Sequence, residues 1–143
     1  ANADTGGRII NKMIDDFVQN NPEKSKAFDS LGLLRYLSAM QYVDAVVGNS
    51  SSGLLEAPSF KVATVNIGSR QQGRIKATSV IDCDANYESI KKALFKSCDE
   101  GFQHNLRSVD NPYGNGGTAD KIIDIISKHP LDGLIKKEFY DLN

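Results

Sequence analysis

Apolar positions along the chain fall into two rhythms. After Gly6-Gly7, the residues Ile9, Ile10, Met13, Ile14, Phe17 and Val18 recur at three- and four-residue spacing. That period predicts an amphipathic helix, capped by Asp4 or Thr5 and ending near Asn20-Asn21-Pro22. Polar residues 22–26 read as a loop, Ala27–Leu31 as a short strand, and Leu33, Leu34, Tyr36, Leu37, Met40 and Val43 as a second helix. From Asp44 the rhythm changes. Asp44–Gly48, Val62–Ile67 and Thr78–Cys83 are short apolar strands; Val62–Ile67 shows no polar-out alternation, so both its faces should be covered. Leu54–Ala57 reads as a short helix stopped at Pro58, and Tyr87–Cys98 as an amphipathic helix through Ile90, Ala93 and Leu94. A polar loop is expected from Glu100 to Pro112, then a helix over Thr118–Lys128 with Thr118 as its cap, and a short last helix over Leu134–Tyr140.

Strands alternating with helices through short loops predict an α/β fold: a Rossmann-like parallel sheet flanked by helices. At 143 residues the chain is one domain's worth. The pattern opens directly on a helix. In an alternating α/β order a strand should precede it, so early strands of the sheet are expected to be missing. The start Ala1-Asn2-Ala3-Asp4, without methionine, reads as truncated.

Composition changes little: 40% hydrophobic and 24% charged residues exclude a disordered chain or a coiled coil. A net charge of −1 argues against a nucleic-acid surface but leaves room for local basic spots that bind small anions. No apolar run approaches the ~20 residues of a membrane span, and no signal peptide is visible. Cys83 and Cys98 make neither a disulfide framework nor a metal cluster; they read as reduced structural thiols of a cytoplasmic protein.

The chemistry gathers in loops. Gly48-Asn49-Ser50-Ser51-Ser52-Gly53 links a strand to a helix. Small residues let a phosphate approach the backbone, and hydroxyls add donors. The alternative is that Asn49 or Ser50 only caps the helix. It is neither a Walker loop nor the Rossmann glycine fingerprint. Glu56, about one turn in, is suited to a ribose diol, or is a solvated surface carboxylate. Ser69-Arg70-Gln71-Gln72-Gly73-Arg74 follows the next strand, so it should share a sheet edge with the serines, where Arg70 or Arg74 would neutralise a pyrophosphate. Asn111-Pro112-Tyr113-Gly114-Asn115-Gly116-Gly117 is a third ligand loop or simply a tight turn. His104 and His129 lack acidic or cysteine partners at useful spacing, so no metal or catalytic role is assigned to either. Asp15-Asp16 should face solvent. No nucleophile–base pair stands out.

Four blocks together resemble the hydrolysing UDP-N-acetylglucosamine 2-epimerases of sialic acid and related nonulosonate synthesis: Asn2–Gly7, Val47–Pro58, Val65–Arg74 and Asn111–Gly116. The resemblance covers essentially the whole chain, as the carboxyl-terminal half of such an enzyme. The related non-hydrolysing epimerases are similar at Glu56-Ala57-Pro58 and Asn111-Pro112-Tyr113-Gly114, but carry Asp-Ser-Gly-Gly and lack the Arg-Gln-x-Gly-Arg block. The three serines and Arg70–Arg74 therefore point to the hydrolysing branch.

The resemblance implies the carboxyl-terminal half of a two-domain, glycosyltransferase-B-type fold. Residues 1–143 would form part of the UDP-binding domain, with the amino-terminal catalytic domain absent. By that resemblance Ser50 and Ser51 bind the diphosphate and Glu56 the ribose. Arg70 and Asn2 contact the nucleotide, and main chain near Leu31 lies by the uracil. Ser52, Arg74 and Tyr113 are further candidates. The family's acid–base carboxylates lie outside these residues, so no catalytic residue is expected here, and no cofactor or metal. The implied partners are a UDP-sugar, the missing domain and further copies of the chain, with neither nucleic acid nor membrane. The alternatives are half of a glycosyltransferase, of a non-hydrolysing epimerase, or a non-catalytic nucleotide-sugar sensor.

Overall fold

The computed structural model describes residues 6–130 and 132–133. Six α-helices occur in them: α1 (Gly7–Asn20), α2 (Gly32–Ala39), α3 (Ser52–Leu55), α4 (Tyr87–Ser97), α5 (Glu100–Leu106) and α6 (Thr118–Lys128). Three strands, β1 (Ala45–Gly48), β2 (Ala63–Ile67) and β3 (Val80–Cys83), form one parallel sheet in the order β1-β2-β3. The predicted parallel α/β arrangement is what the chain adopts.

Ala45 lies beside Ala63 and Val47 beside Val65, while Val65 is the partner of Ile81. Side chains alternate across the central strand. Ala63 packs with Ala77, Leu106 and Val109, and Val65 with Ile81 and Ala93 of α4. On the opposite face, Val62 packs with Met40 and Ala57, joined by Tyr36, Leu37, Val46 and Phe60. Residues 63–66 are buried throughout, so both faces of β2 are covered as expected, with Thr64 Oγ1 bonded to Gly53 O and Asn66 Nδ2 to Asp82.

Several local expectations are corrected. Ala27–Leu31 forms no strand: Phe28 is exposed, and among the described residues no neighbouring strand offers a ladder. The second helix ends at Ala39 rather than Val43. Pro58 does not stop the chain after α3. It sits in a short 3-10 turn, Ala57–Phe60, where its missing N–H is harmless near the start of the turn. Residues expected as polar loop contain α5, capped by Asp99, whose side chain accepts from the Phe102 N–H at 2.9 Å; His104 therefore lies on a helix. The N-cap of α6 is Gly117 in the left-handed region (φ 71°), with Thr118 one residue inside. At α1 the N-cap position is held by Gly6 (φ 91°). Asp4 and Thr5 lie outside the described residues, as does the helix expected over Leu134–Tyr140.

Asp15 and Asp16 are solvent-exposed, and Asp16 pairs with Lys12 at 2.9 Å. The apolar sides of α1 (Ile10, Met13, Phe17) and α6 (Ile122, Ile123, Ile126) are exposed among the described residues. No helix among them is long and apolar enough to cross a membrane.

An ion pair ties the connection after β2 to the outer strand. Lys76 Nζ donates to both oxygens of Asp82 at 2.9 and 2.7 Å, and Asn66 Nδ2, Asp82's register partner on β2, donates to Oδ1 at 2.7 Å. Burial alone would raise the Asp82 pKa; the bonds from Lys76 and Asn66 and the Lys76 charge outweigh it and leave the carboxyl below its ordinary value. A folded-state pKa below the unfolded one stabilises the fold above the unfolded pKa and loses that contribution as pH falls through the folded one. Lys76→Met should therefore lower the urea midpoint at pH 7, by less than about 1 kcal/mol because the pair is half-exposed. As pH falls through the folded-state pKa of Asp82 the gap between wild type and variant should close; a gap independent of pH would contradict the assignment.

Candidate functional site

The serine turn leaves the carboxyl end of β1 and the arginine loop leaves the carboxyl end of β2. The two strands are parallel, so both segments emerge at one sheet edge. They are also joined directly: Gln71 Nε2 donates to the Asn49 carbonyl at 2.7 Å. A third segment closes the ring. Asn111 Nδ2 donates to Leu55 O at 2.8 Å and Ser59 Oγ at 2.7 Å, and its Oδ1 accepts from Tyr113 N at 2.9 Å. Tyr113 Oη donates to Ile75 O at 3.0 Å. The second block is thus bonded to the third through Asn49 and to the fourth through Leu55, and the fourth reaches Ile75, just past the third. The Asn111 amide is spent on protein partners, and Gly114 N bonds Asn111 O at 3.0 Å, so the last segment is built as a tight turn.

Within the serine turn the roles divide. The N–H groups of Gly53 and Leu54 are occupied by the Ser50 and Ser51 carbonyls. Ser50 Oγ accepts from Ser52 N at 3.3 Å and keeps its own proton free to donate. Ser52 differs: its hydroxyl donates to Glu56 Oε2, and it lies 2.5 Å from Tyr36 Oη. Since Ser52 has one proton, Tyr36 must be the donor to it. The chain Tyr36–Ser52–Glu56 sets the carboxylate's orientation. Open backbone donors at the helix start are thus present only in part, and among the described residues Ser50 and Ser51 keep uncommitted hydroxyl protons.

Leu31 is the half-buried N-cap of α2 and borders a cleft of about 500 Å³ with Phe28, Asp29, Ser30, Leu33 and Tyr36. Tyr36 belongs to this cleft and to the Glu56 relay, so it joins the two places. Arg70 and Arg74 are exposed and make no ion pair among the described residues. Asn2 lies outside the described residues. A larger groove, about 700 Å³, runs along β3 and α4 past Ser69, Gln72, Lys76, Lys92 and Lys96; none of Ser50, Ser51, Ser52 and Glu56 borders it. Cys83 lies in it, its thiol pKa raised by burial and by Asp84 and Asp82, which disfavours the thiolate. Among the described residues no group of His, Cys, Asp and Glu is placed to hold a metal.

Tyr36 and Gln71 escaped the sequence reading as site residues. Tyr36 falls on a helical apolar stripe and Gln71 in a polar loop; their roles come from tertiary contacts that leave no local signal.

The chain is a parallel α/β protein that carries hydroxyls, guanidinium groups and an oriented carboxylate at the carboxyl edge of its sheet, the edge where ligands of such folds gather. Comparison with known proteins fixes the family. The profile of the UDP-N-acetylglucosamine 2-epimerase family matches residues 1–127, and the chain belongs to that family. It is 42% identical over 143 residues to the GDP/UDP-N,N'-diacetylbacillosamine 2-epimerase (hydrolyzing) of Campylobacter jejuni, covering 99% of this chain and 37% of the relative. Identity to polysialic acid biosynthesis protein P7 of Escherichia coli is 38%, with 99% and 36% covered. To the UDP-N,N'-diacetylbacillosamine 2-epimerase (hydrolyzing) of Legionella pneumophila it is 32%, with 94% and 34% covered. The chain thus spans little more than a third of the length of these relatives.

Proposed function

We propose that this chain is the UDP-holding, carboxyl-terminal part of a cytoplasmic, hydrolysing UDP-sugar 2-epimerase. The observation that carries the reading is the hydrogen-bonded junction of the serine turn and the arginine loop on one sheet edge. Ser50, Ser51 and Arg70 take the diphosphate, Glu56 the ribose diol, main chain at Leu31 the uracil, and Asn2 the nucleotide, with Arg74 and Tyr113 at the margin. Ser52 serves through Glu56, because its proton is already committed there.

In the reaction, the sugar loses the proton on carbon 2 and the bond from carbon 1 to the diphosphate oxygen, forming a glycal and UDP. Water then adds hydroxyl at carbon 1 and hydrogen at the opposite face of carbon 2, releasing the 2-epimer as a free sugar. Charge builds on the departing diphosphate. Donors held at that position bind it more strongly as it leaves, which lowers the barrier. The proton-transfer groups belong to the other domain, so residues 1–143 alone bind UDP without turning over substrate. The exposed apolar sides of α1 and α6 support association with that domain and with further copies of the chain.

Two relatives carry UDP-N,N'-diacetylbacillosamine in their names, which makes that sugar nucleotide the first substrate to try and UDP-N-acetylglucosamine the second. The test is calorimetry of the full-length enzyme with UDP, followed by product analysis. Free 2-epimerised sugar without any acceptor is expected. Sugar appearing only on an acceptor would make the protein a glycosyltransferase, and a UDP-linked epimer would make it non-hydrolysing.

A further inference from the structure

Gln71 follows Arg70 in an otherwise exposed loop, yet only 2% of its surface is accessible. Its side chain crosses to the neighbouring segment and donates to the carbonyl of Asn49, the residue immediately before Ser50. One buried amide therefore runs from the residue beside the guanidinium to the residue beside the hydroxyls. Residues 68–79 contain neither helix nor strand, and Gly68 (φ 76°) and Gly73 (φ 78°) bracket the arginine segment in left-handed conformations. Backbone bonds from Gln72 N to Ser69 O (2.9 Å) and from Gly68 N to Cys83 O (2.8 Å) shape the loop's own turn, and the Gln71 amide supplies the hydrogen bond among the described residues that ties that turn to the serines.

Gln71 is poorly explained by packing alone. Its Oε1 is buried without a donor among the described residues. A half-satisfied amide in the interior is unfavourable. Methionine would fill the same elongated space without the orphaned oxygen. The bond to Asn49 is what distinguishes glutamine from such a filler.

We propose that Gln71 is a positioning residue that sets the separation between the serine turn and Arg70, and through it the affinity for a diphosphate. This rests on the UDP reading above. A nucleoside without phosphates does not sense that separation, so uridine serves as the control ligand. In the full-length enzyme, Gln71→Met should weaken UDP binding by about tenfold, the loss of one well-placed interaction. Uridine binding should be unchanged, and the melting temperature without ligand should not fall. Should that variant fail to fold, Gln71→Asn, whose amide is one methylene short of Asn49, is read by the same criteria. Unchanged UDP affinity overturns the proposal. So does a parallel loss for UDP and uridine together with a lower melting temperature, which marks a structural role only. A wild-type enzyme that ignores UDP overturns the underlying reading and this proposal with it.

Discussion

Arg70→Ala in the full-length enzyme should weaken UDP binding by ~1.5–3 kcal/mol, roughly ten- to a hundredfold, the range for a lost hydrogen bond to a charged partner. Arg70 is exposed and carries no ion pair among the described residues, so no acidic neighbour competes for its charge. Arg70→Lys keeps the charge but loses the planar fork that fits two phosphate oxygens, and should recover only part of the affinity. Ser51→Ala removes a neutral donor and should cost less, about 1 kcal/mol. On the proposed reading both act on one diphosphate, so the double variant should lose less than the sum of the single losses. Titration calorimetry at two salt concentrations checks this. The wild-type affinity should fall with salt more steeply than that of Arg70→Ala, since one cation fewer is screened. Full UDP affinity in both single variants would remove the two residues from the site.

The parts of this picture that are local were legible in the sequence. β2 could be read because Val62, Ala63, Val65 and Ile67 make a short apolar run, and it is in fact the central strand, with Thr64 and Asn66 buried on its other face as well. The serine turn and the arginine loop could be placed on one edge because parallel strands present their following loops together. The misses share a physical cause, which is stabilisation by contacts remote in sequence or by a single cap. α5 carries only Phe102 and Leu106 as an apolar pair four apart, too few for a periodic signal; Asp99, three residues before Phe102, was its one overt mark. Ala27–Leu31 has strand-like side chains, but a strand exists only with a partner, and none is there among the described residues. Gln71 reads as one more polar loop residue until the fold brings Asn49 within 2.7 Å.

Gly53→Ala should destabilise the protein by ~1–3 kcal/mol, although alanine is the better helix former by about 1 kcal/mol. Geometry decides the sign. A Cβ at residue 53 would lie 2.5 Å from Thr64 Cγ2 and 3.3 Å from its Oγ1. Thr64 cannot swing aside cheaply. It is buried on the central strand, and its Oγ1 donates to the Gly53 carbonyl at 2.9 Å, so another rotamer gives up that bond. The clash must instead push α3 off the sheet. The serines begin that helix, so the displacement should reach the proposed UDP site as well and weaken binding along with the fold. The contact itself names the rescue. Thr64→Ser deletes Cγ2, the atom at 2.5 Å, while keeping the hydroxyl that holds Gly53. In the Gly53→Ala/Thr64→Ser double variant most of the lost stability and UDP affinity should return, whereas Thr64→Ser alone should be mildly destabilising through a lost buried methyl. Urea denaturation and UDP titration of all four proteins measure the coupling. Additive losses would show that α3 does not rest on β2 through this contact, and that the serine turn takes its position from elsewhere.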